Sequence, residues 1–123
     1  MGAKILLIED DESTVELLAM RLRGAGYQVS IAMDAVMGIK GVHQTQPDLI
    51  LLDLKIPAGG GIAVLEGLRK SFLIKSTPVI VLTGTAEAAM KKRLLEFGIK
   101  TYIQKPYQPD ELMQAIATLL PHP

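Results

Sequence analysis

Three short apolar runs punctuate the chain, and each stops abruptly at polar residues. Ile5-Leu6-Leu7-Ile8 ends at Glu9-Asp10-Asp11-Glu12, and Leu49-Ile50-Leu51-Leu52 ends at Asp53. Val79-Ile80-Val81-Leu82, introduced by Pro78, ends at Thr83-Gly84-Thr85. Four apolar residues without alternation suit a strand covered on both faces, as in a parallel sheet. Two weaker runs, Gln28 to Ala32 and Thr101 to Lys105, have mixed polarity and suit the edges of that sheet.

Helix-length segments alternate with these runs. Val15, Leu18 and Leu22 share one helical face, and the pattern stops at Gly24-Ala25-Gly26. Asp34 is placed to cap a second helix with Ile39 and Val42 inward, although Gly38 and Gly41 each weaken it by roughly 1 kcal/mol relative to alanine. Val64, Leu65 and Leu68 mark a third helix; Met90, Leu94 and Phe97 mark a fourth, stopped by Gly98. Pro109-Asp110-Glu111 opens a fifth, with proline and acids in the first turn, and Leu112, Ile116, Leu119 and Leu120 facing the core. The pattern is a (βα)5 alternation, which calls for a parallel sheet with helices on both faces joined by right-handed crossovers.

Length and composition add bounds. At 123 residues, with 49% hydrophobic and 21% charged, the chain reads as one domain, 1–123, able to bury a core without staples. Thirteen basic residues balance thirteen acidic ones, so no broad basic field exists to hold nucleic acid or an anionic membrane by charge. The absence of cysteine excludes a disulfide scaffold, a thiolate zinc site and a cysteine nucleophile. No apolar run approaches the ~18 residues of a membrane span, and the N-terminus lacks a cleavage pattern. A soluble, cytoplasmic protein is expected.

The chemistry collects where the strands end. In an open parallel sheet the ligand site lies outside the carboxyl ends of the strands. Glu9 and Asp10 stand there after the first strand, Asp53 after the third, Thr83 after the fourth and Lys105 after the fifth. Three ionised carboxylates against one ammonium leave two uncompensated negative charges, which a divalent cation would cancel. Oxygen donors without His or Cys favour a hard ion, Mg²⁺ or Mn²⁺. Such a site suits phosphoryl transfer to a carboxylate, with the metal and Lys105 neutralising phosphoryl oxygens and Thr83 donating a hydrogen bond.

At these residues the sequence resembles the response-regulator receiver family. Ile8-Glu9-Asp10-Asp11-Glu12 is similar to the family's acidic pair, and Leu49 to Pro57 followed by Gly60-Gly61 resembles its phosphoacceptor segment. Val81-Leu82-Thr83-Gly84 and Tyr102-Ile103-Gln104-Lys105-Pro106-Tyr107 resemble its switch-threonine and lysine-proline motifs. The resemblance spans nearly the whole chain. It implies a flavodoxin-like, CheY-like three-layer fold with strand order 2-1-3-4-5. It also implies that Asp53 accepts a phosphoryl group from a phosphohistidine on a sensor kinase or phosphotransfer protein. Asp10 and Asp53 would ligate Mg²⁺, Glu9 would act through water, and the backbone carbonyl of Lys55 would add a ligand. Lys105 would pair with the phosphoryl group, Thr83 would move to it, and Tyr102 would rotate inward. The Lys105-Pro106 bond would be cis. Phosphorylation would reshape the surface of the fourth helix, fifth strand and fifth helix for an output domain or protein partner, with a phosphorylation-dependent homodimer as one outcome. The only catalysis implied is the chain's own Mg²⁺-dependent phosphorylation and dephosphorylation. The family often carries Asp or Ser at the position of Gly60. Lys55 and Thr85 stand at variable positions that tune phosphoryl lifetime in the family.

Simpler readings exist for each part. Asp11 and Glu12 suit a solvated acidic cap on the first helix, and Lys105 alone could be a surface lysine. The Gly59-Gly60-Gly61 run is not followed by a Gly-Lys-Ser/Thr and reads as a flexible turn. His43 and His122 read as surface residues, and Met20, Met33, Met37, Met90 and Met113 mostly as packing. Among whole-chain alternatives, a haloacid-dehalogenase-type phosphatase needs Asp-x-Asp, whereas Asp10 is followed two residues on by Glu12. A flavodoxin needs a hydroxyl- and glycine-rich phosphate loop where Glu9 to Glu12 would repel phosphate. A degenerate receiver used only for docking would lack site residues that are present here.

Overall fold

The computed structural model describes residues 2–72, 76–84, 88–99 and 101–120. Five strands alternate with five helices: β1 (Lys4–Ile8), α1 (Glu12–Gly24), β2 (Gln28–Ala32), α2 (Ala35–Thr45), β3 (Leu49–Asp53), α3 (Gly60–Lys70), β4 (Val79–Thr83), α4 (Ala88–Glu96), β5 (Thr101–Gln104) and α5 (Pro109–Leu119). All strands are parallel, in the order β2-β1-β3-β4-β5. The three apolar runs therefore fill the middle, and β3 and β4 are buried along their whole length. The two strands of mixed polarity take the edges. β5 stops at Gln104, one residue short of the expected end.

Period-2 alternation divides the sheet's side chains between two apolar layers. Ile5, Leu7, Leu49, Leu51, Ile80, Leu82 and Ile103 pack with Val15, Leu18 and Leu22 of α1 and Leu112 and Ile116 of α5. Leu6, Ile8, Ile50, Leu52, Val79 and Val81 pack with Val42 of α2, Val64, Leu65 and Leu68 of α3 and Leu94 of α4. Helices thus cover both faces, as a parallel sheet requires.

Local chemistry sets the helix ends. The Asp11 carboxylate accepts from the Thr14 amide at 3.0 Å and caps α1; the Asp34 carboxylate accepts from the Met37 amide at 2.8 Å and caps α2. Gly38 has a packing reason that the propensity scale misses. A Cβ there would lie 2.9 Å from Ile8 Cδ1, so the missing side chain lets α2 settle onto β1. Gly60 and Gly61 belong to the first turn of α3 rather than to a free loop, and a Cβ on Gly61 would stand 2.8 Å from the Leu54 backbone.

Some apolar residues expected inside lie outside. Leu119 is 38% exposed because α5 turns it past the core edge, while Leu120 is buried. Met20, Met33 and Met37 are exposed as well, so three of the five methionines read as packing do not pack in the core. Ile39 is half-buried, and its side chain borders Gly67 of α3. Thr85 and His122 lie outside the described residues.

Candidate functional site

The carboxyl ends of β1, β3, β4 and β5 share one edge of the sheet, so residues far apart in sequence meet there. Asp53 is the last residue of β3, pairs with Leu82 across β4, and is buried. Its Oδ1 accepts from the Lys55 amide at 3.1 Å. Glu9 follows β1 directly; its amide donates to the Ala32 carbonyl at 3.0 Å, which prolongs the β1–β2 ladder. That extra pairing keeps Glu9 in strand geometry and leaves its side chain 1% exposed. Asp10, one residue further on, is exposed, and its amide donates to Glu9 Oε2 at 3.0 Å.

The carboxylates converge. Among the described residues, Glu9, Asp10 and Asp53 each offer an oxygen lying within 4.8 Å of the others. Lys105 closes the cluster from the far side, with Nζ 3.2 Å from Glu9 Oε1 and 3.2 Å from Asp53 Oδ2. Its backbone is set by β4, since the Lys105 amide donates to the Thr83 carbonyl at 2.7 Å. The Lys105-Pro106 peptide bond is cis. Thr83 ends β4 and is buried beside Asp53's strand. Lys55 is exposed in the β3–α3 connection. Tyr102 lies on the α4 side of β5, 37% exposed, with Lys91 Nζ 5.8 Å from its ring centroid.

Burial is the largest cause of an unusual Glu9. It pushes the carboxyl up to about 7; a hydrogen bond to Asp53 and that group's charge push the same way, and Lys105 only partly opposes them. Lys105 feels the reverse: desolvation would lower it, but Asp53 and Glu9 together hold it above the usual lysine range. Burial also raises Tyr107, which follows the cis bond and stands half-buried near the same charges. Asp11, by contrast, is lowered by its hydrogen bonds to Thr14, as suits a helix cap outside the cluster.

The donor set fits a small hard cation. It is all oxygen, partly exposed through Asp10, and carries more negative charge than one lysine neutralises. Among the described residues, no buried side-chain nitrogen or oxygen lacks a hydrogen-bond partner, so the charge excess is the feature asking for a ligand. The sequence did not foretell that Lys105 grips both Glu9 and Asp53. Side-chain reach across β1, β3 and β5 has no one-dimensional signature.

Comparison with known proteins settles the family. The model of the response regulator receiver domain matches residues 5–117. The chain belongs to the response-regulator receiver family. It is 34% identical over 120 residues to the DNA-binding response regulator MtrA of Mycolicibacterium paratuberculosis, covering 98% of this chain and 52% of MtrA. The chain therefore spans about half the length of this curated relative. The receiver fold superposes on the chemotaxis protein CheY4 of Vibrio cholerae with a TM-score of 0.89 and 25% identity, covering 98% of this chain and all of the other. It also superposes on the receiver domain of a Pseudomonas aeruginosa sensor histidine kinase (TM-score 0.86, 26% identity, 97% and 98% covered), solved with magnesium coordinated in its active-site cleft. The Glu9-Asp10-Asp53 cluster fits a receiver-domain Mg²⁺ site. Among the described residues, no helix is long and apolar enough to cross a membrane.

Proposed function

We propose that this receiver takes a phosphoryl group onto Asp53 from a phosphohistidine of a sensor kinase or phosphotransfer protein. The observation that carries the reading is the convergence of Asp53 with Glu9, Asp10 and Lys105, the lysine 3.2 Å from two of the carboxylates. An Asp53 carboxylate oxygen attacks phosphorus as the phosphorus–nitrogen bond breaks, the imidazole leaves with the bond's electrons, and an acyl phosphate remains. Bound Mg²⁺, or Mn²⁺, supplies charge neutralisation for the phosphoryl oxygens. Asp10, Asp53 and the Lys55 carbonyl would hold the ion directly, and Glu9 would act through water. Lys105 is already aimed at Asp53 and exchanges that contact for one to a phosphoryl oxygen.

Thr83 then closes on the phosphoryl group, Tyr102 turns inward, and the α4–β5–α5 face changes shape. The groove of ≈ 560 Å³ bordered by Thr14, Leu17, Leu18, Arg21, Pro106 and Tyr107 shares Lys105 with the carboxylate cluster, and suits docking of the donor. The output is a linked domain or separate partner in the cytoplasm, and a phosphorylation-dependent homodimer is compatible with the same face. MtrA is named as DNA-binding; balanced charge here argues that any DNA contact belongs to another domain.

Intact-mass spectrometry after incubation with Mg²⁺ and acetyl phosphate tests the reading. One added phosphoryl group, absent without metal and absent in Asp53→Asn, is the expected result. Labelling that survives Asp53→Asn sinks the acceptor assignment. No adduct with any donor, and no beryllofluoride binding, would make the chain a docking module.

A further inference from the structure

Helix α4 is held differently on its two flanks. On one side it is tied to α3: Arg93 Nη2 lies 3.6 Å from Glu66 Oε1, and the Arg69 guanidinium sits 4.5 Å from the Phe97 ring centroid. Leu94, 1% exposed, anchors the inward face. Residues two apart on a helix project in nearly opposite directions, so Lys91 leaves the other flank, toward β5. There its ammonium lies 5.8 Å from the centroid of the Tyr102 ring, within the range of a cation–π contact. The Tyr102 ring is 37% exposed, and Lys91 meets it in this exposed position.

We propose that Lys91 is a positioning residue that holds Tyr102 outward and so biases the switch toward its unphosphorylated state. The inference rests on the reading that Tyr102 turns inward when Asp53 is phosphorylated. A contact shifts an equilibrium only if it differs between the two states. The Lys91–Tyr102 contact meets that condition, because an inward ring moves away from a lysine on a helix tied to α3. At an exposed site the contact supplies a bias of about two- to fivefold.

The test is fluorine NMR of the full chain labelled with 3-fluorotyrosine. There are three tyrosines, and Tyr102→Phe assigns the relevant resonance. Wild type, Lys91→Met and Lys91→Arg are titrated with beryllofluoride at saturating Mg²⁺. Without beryllofluoride, Lys91→Met should displace the Tyr102 resonance toward its saturated position, and its half-saturation concentration should fall about two- to fivefold. Lys91→Arg should restore wild-type behaviour, because a guanidinium also stacks on the ring. If the wild-type resonance responds to beryllofluoride but Lys91→Met matches wild type, the positioning role is wrong and the switch reading stands. If the wild-type Tyr102 resonance does not respond, the switch reading fails and the inference falls with it.

Discussion

Glu9 and Asp10 are adjacent, chemically similar and differently treated by the fold. One is sealed beneath the site, and the other is open to solvent. A carboxyl raised from 4.5 to about 7 binds more protons folded than unfolded. Its effect on stability is therefore most favourable below pH 4.5 and is lost as pH rises to about 7. Without metal, the chain should lose on the order of 1–3 kcal/mol across that window, less whatever neighbouring groups offset. Urea unfolding at pH 5 and pH 8 measures the drop. Glu9→Gln should flatten the profile and raise stability at pH 8 while weakening Mg²⁺ binding. Profiles that coincide for the variant and wild type would show that ionised Glu9 carries no such penalty. The acidic pair was legible in sequence as a site; which member is buried was not, because one residue of strand continuation past Ile8 decides it.

At the level of elements, glycine shows where packing overrides propensity. Gly38 and Gly24 both lie in helices, and the intrinsic scale favours alanine at each by roughly 1 kcal/mol. Gly38→Ala places a methyl 2.9 Å from the fully buried Ile8, and such overpacking costs ~1–3 kcal/mol. It should destabilise by about 1 kcal/mol net. Gly24→Ala meets nothing within 4 Å and should stabilise by about 0.5–1 kcal/mol. Thermal midpoints of the two variants decide it; shifts of the same sign would defeat the packing argument. Asp34→Ala removes the α2 cap and should cost about 1 kcal/mol by the same assay. The caps and helix faces were readable because they depend on neighbours three or four residues away. The role of Gly38 was not, since Ile8 lies thirty positions earlier.

For the whole molecule, a metal ion and the proton would compete for the same cluster. A cation held by Glu9, Asp10 and Asp53 would bind the folded chain and stabilise it by mass action. The gain requires ionised carboxylates, so Mg²⁺ should raise the thermal midpoint more at pH 8 than at pH 5. At a hundredfold excess over the dissociation constant the gain is about 2.7 kcal/mol. Calorimetry with Mg²⁺ and with Ca²⁺ as a larger-ion control measures it; a pH-independent gain would place the ion elsewhere. In the proposed switch the cluster would couple to α4 through Thr83, β5 and Tyr102, which would tie the surface charge of that helix to the state of Asp53.

Linear patterning was enough for the alternation of strands and helices, for which strands lie inside, and for the residues gathered at the sheet's carboxyl edge. Each follows from short-range patterning and from the rule that parallel strands end together. Tertiary structure alone decided that Lys105 grips Glu9 and Asp53 together, that Leu119 and three methionines face outward, and that Lys91 meets Tyr102. Those facts depend on helix rotation and side-chain reach between elements. Such distances of a few ångströms are set by how the layers pack.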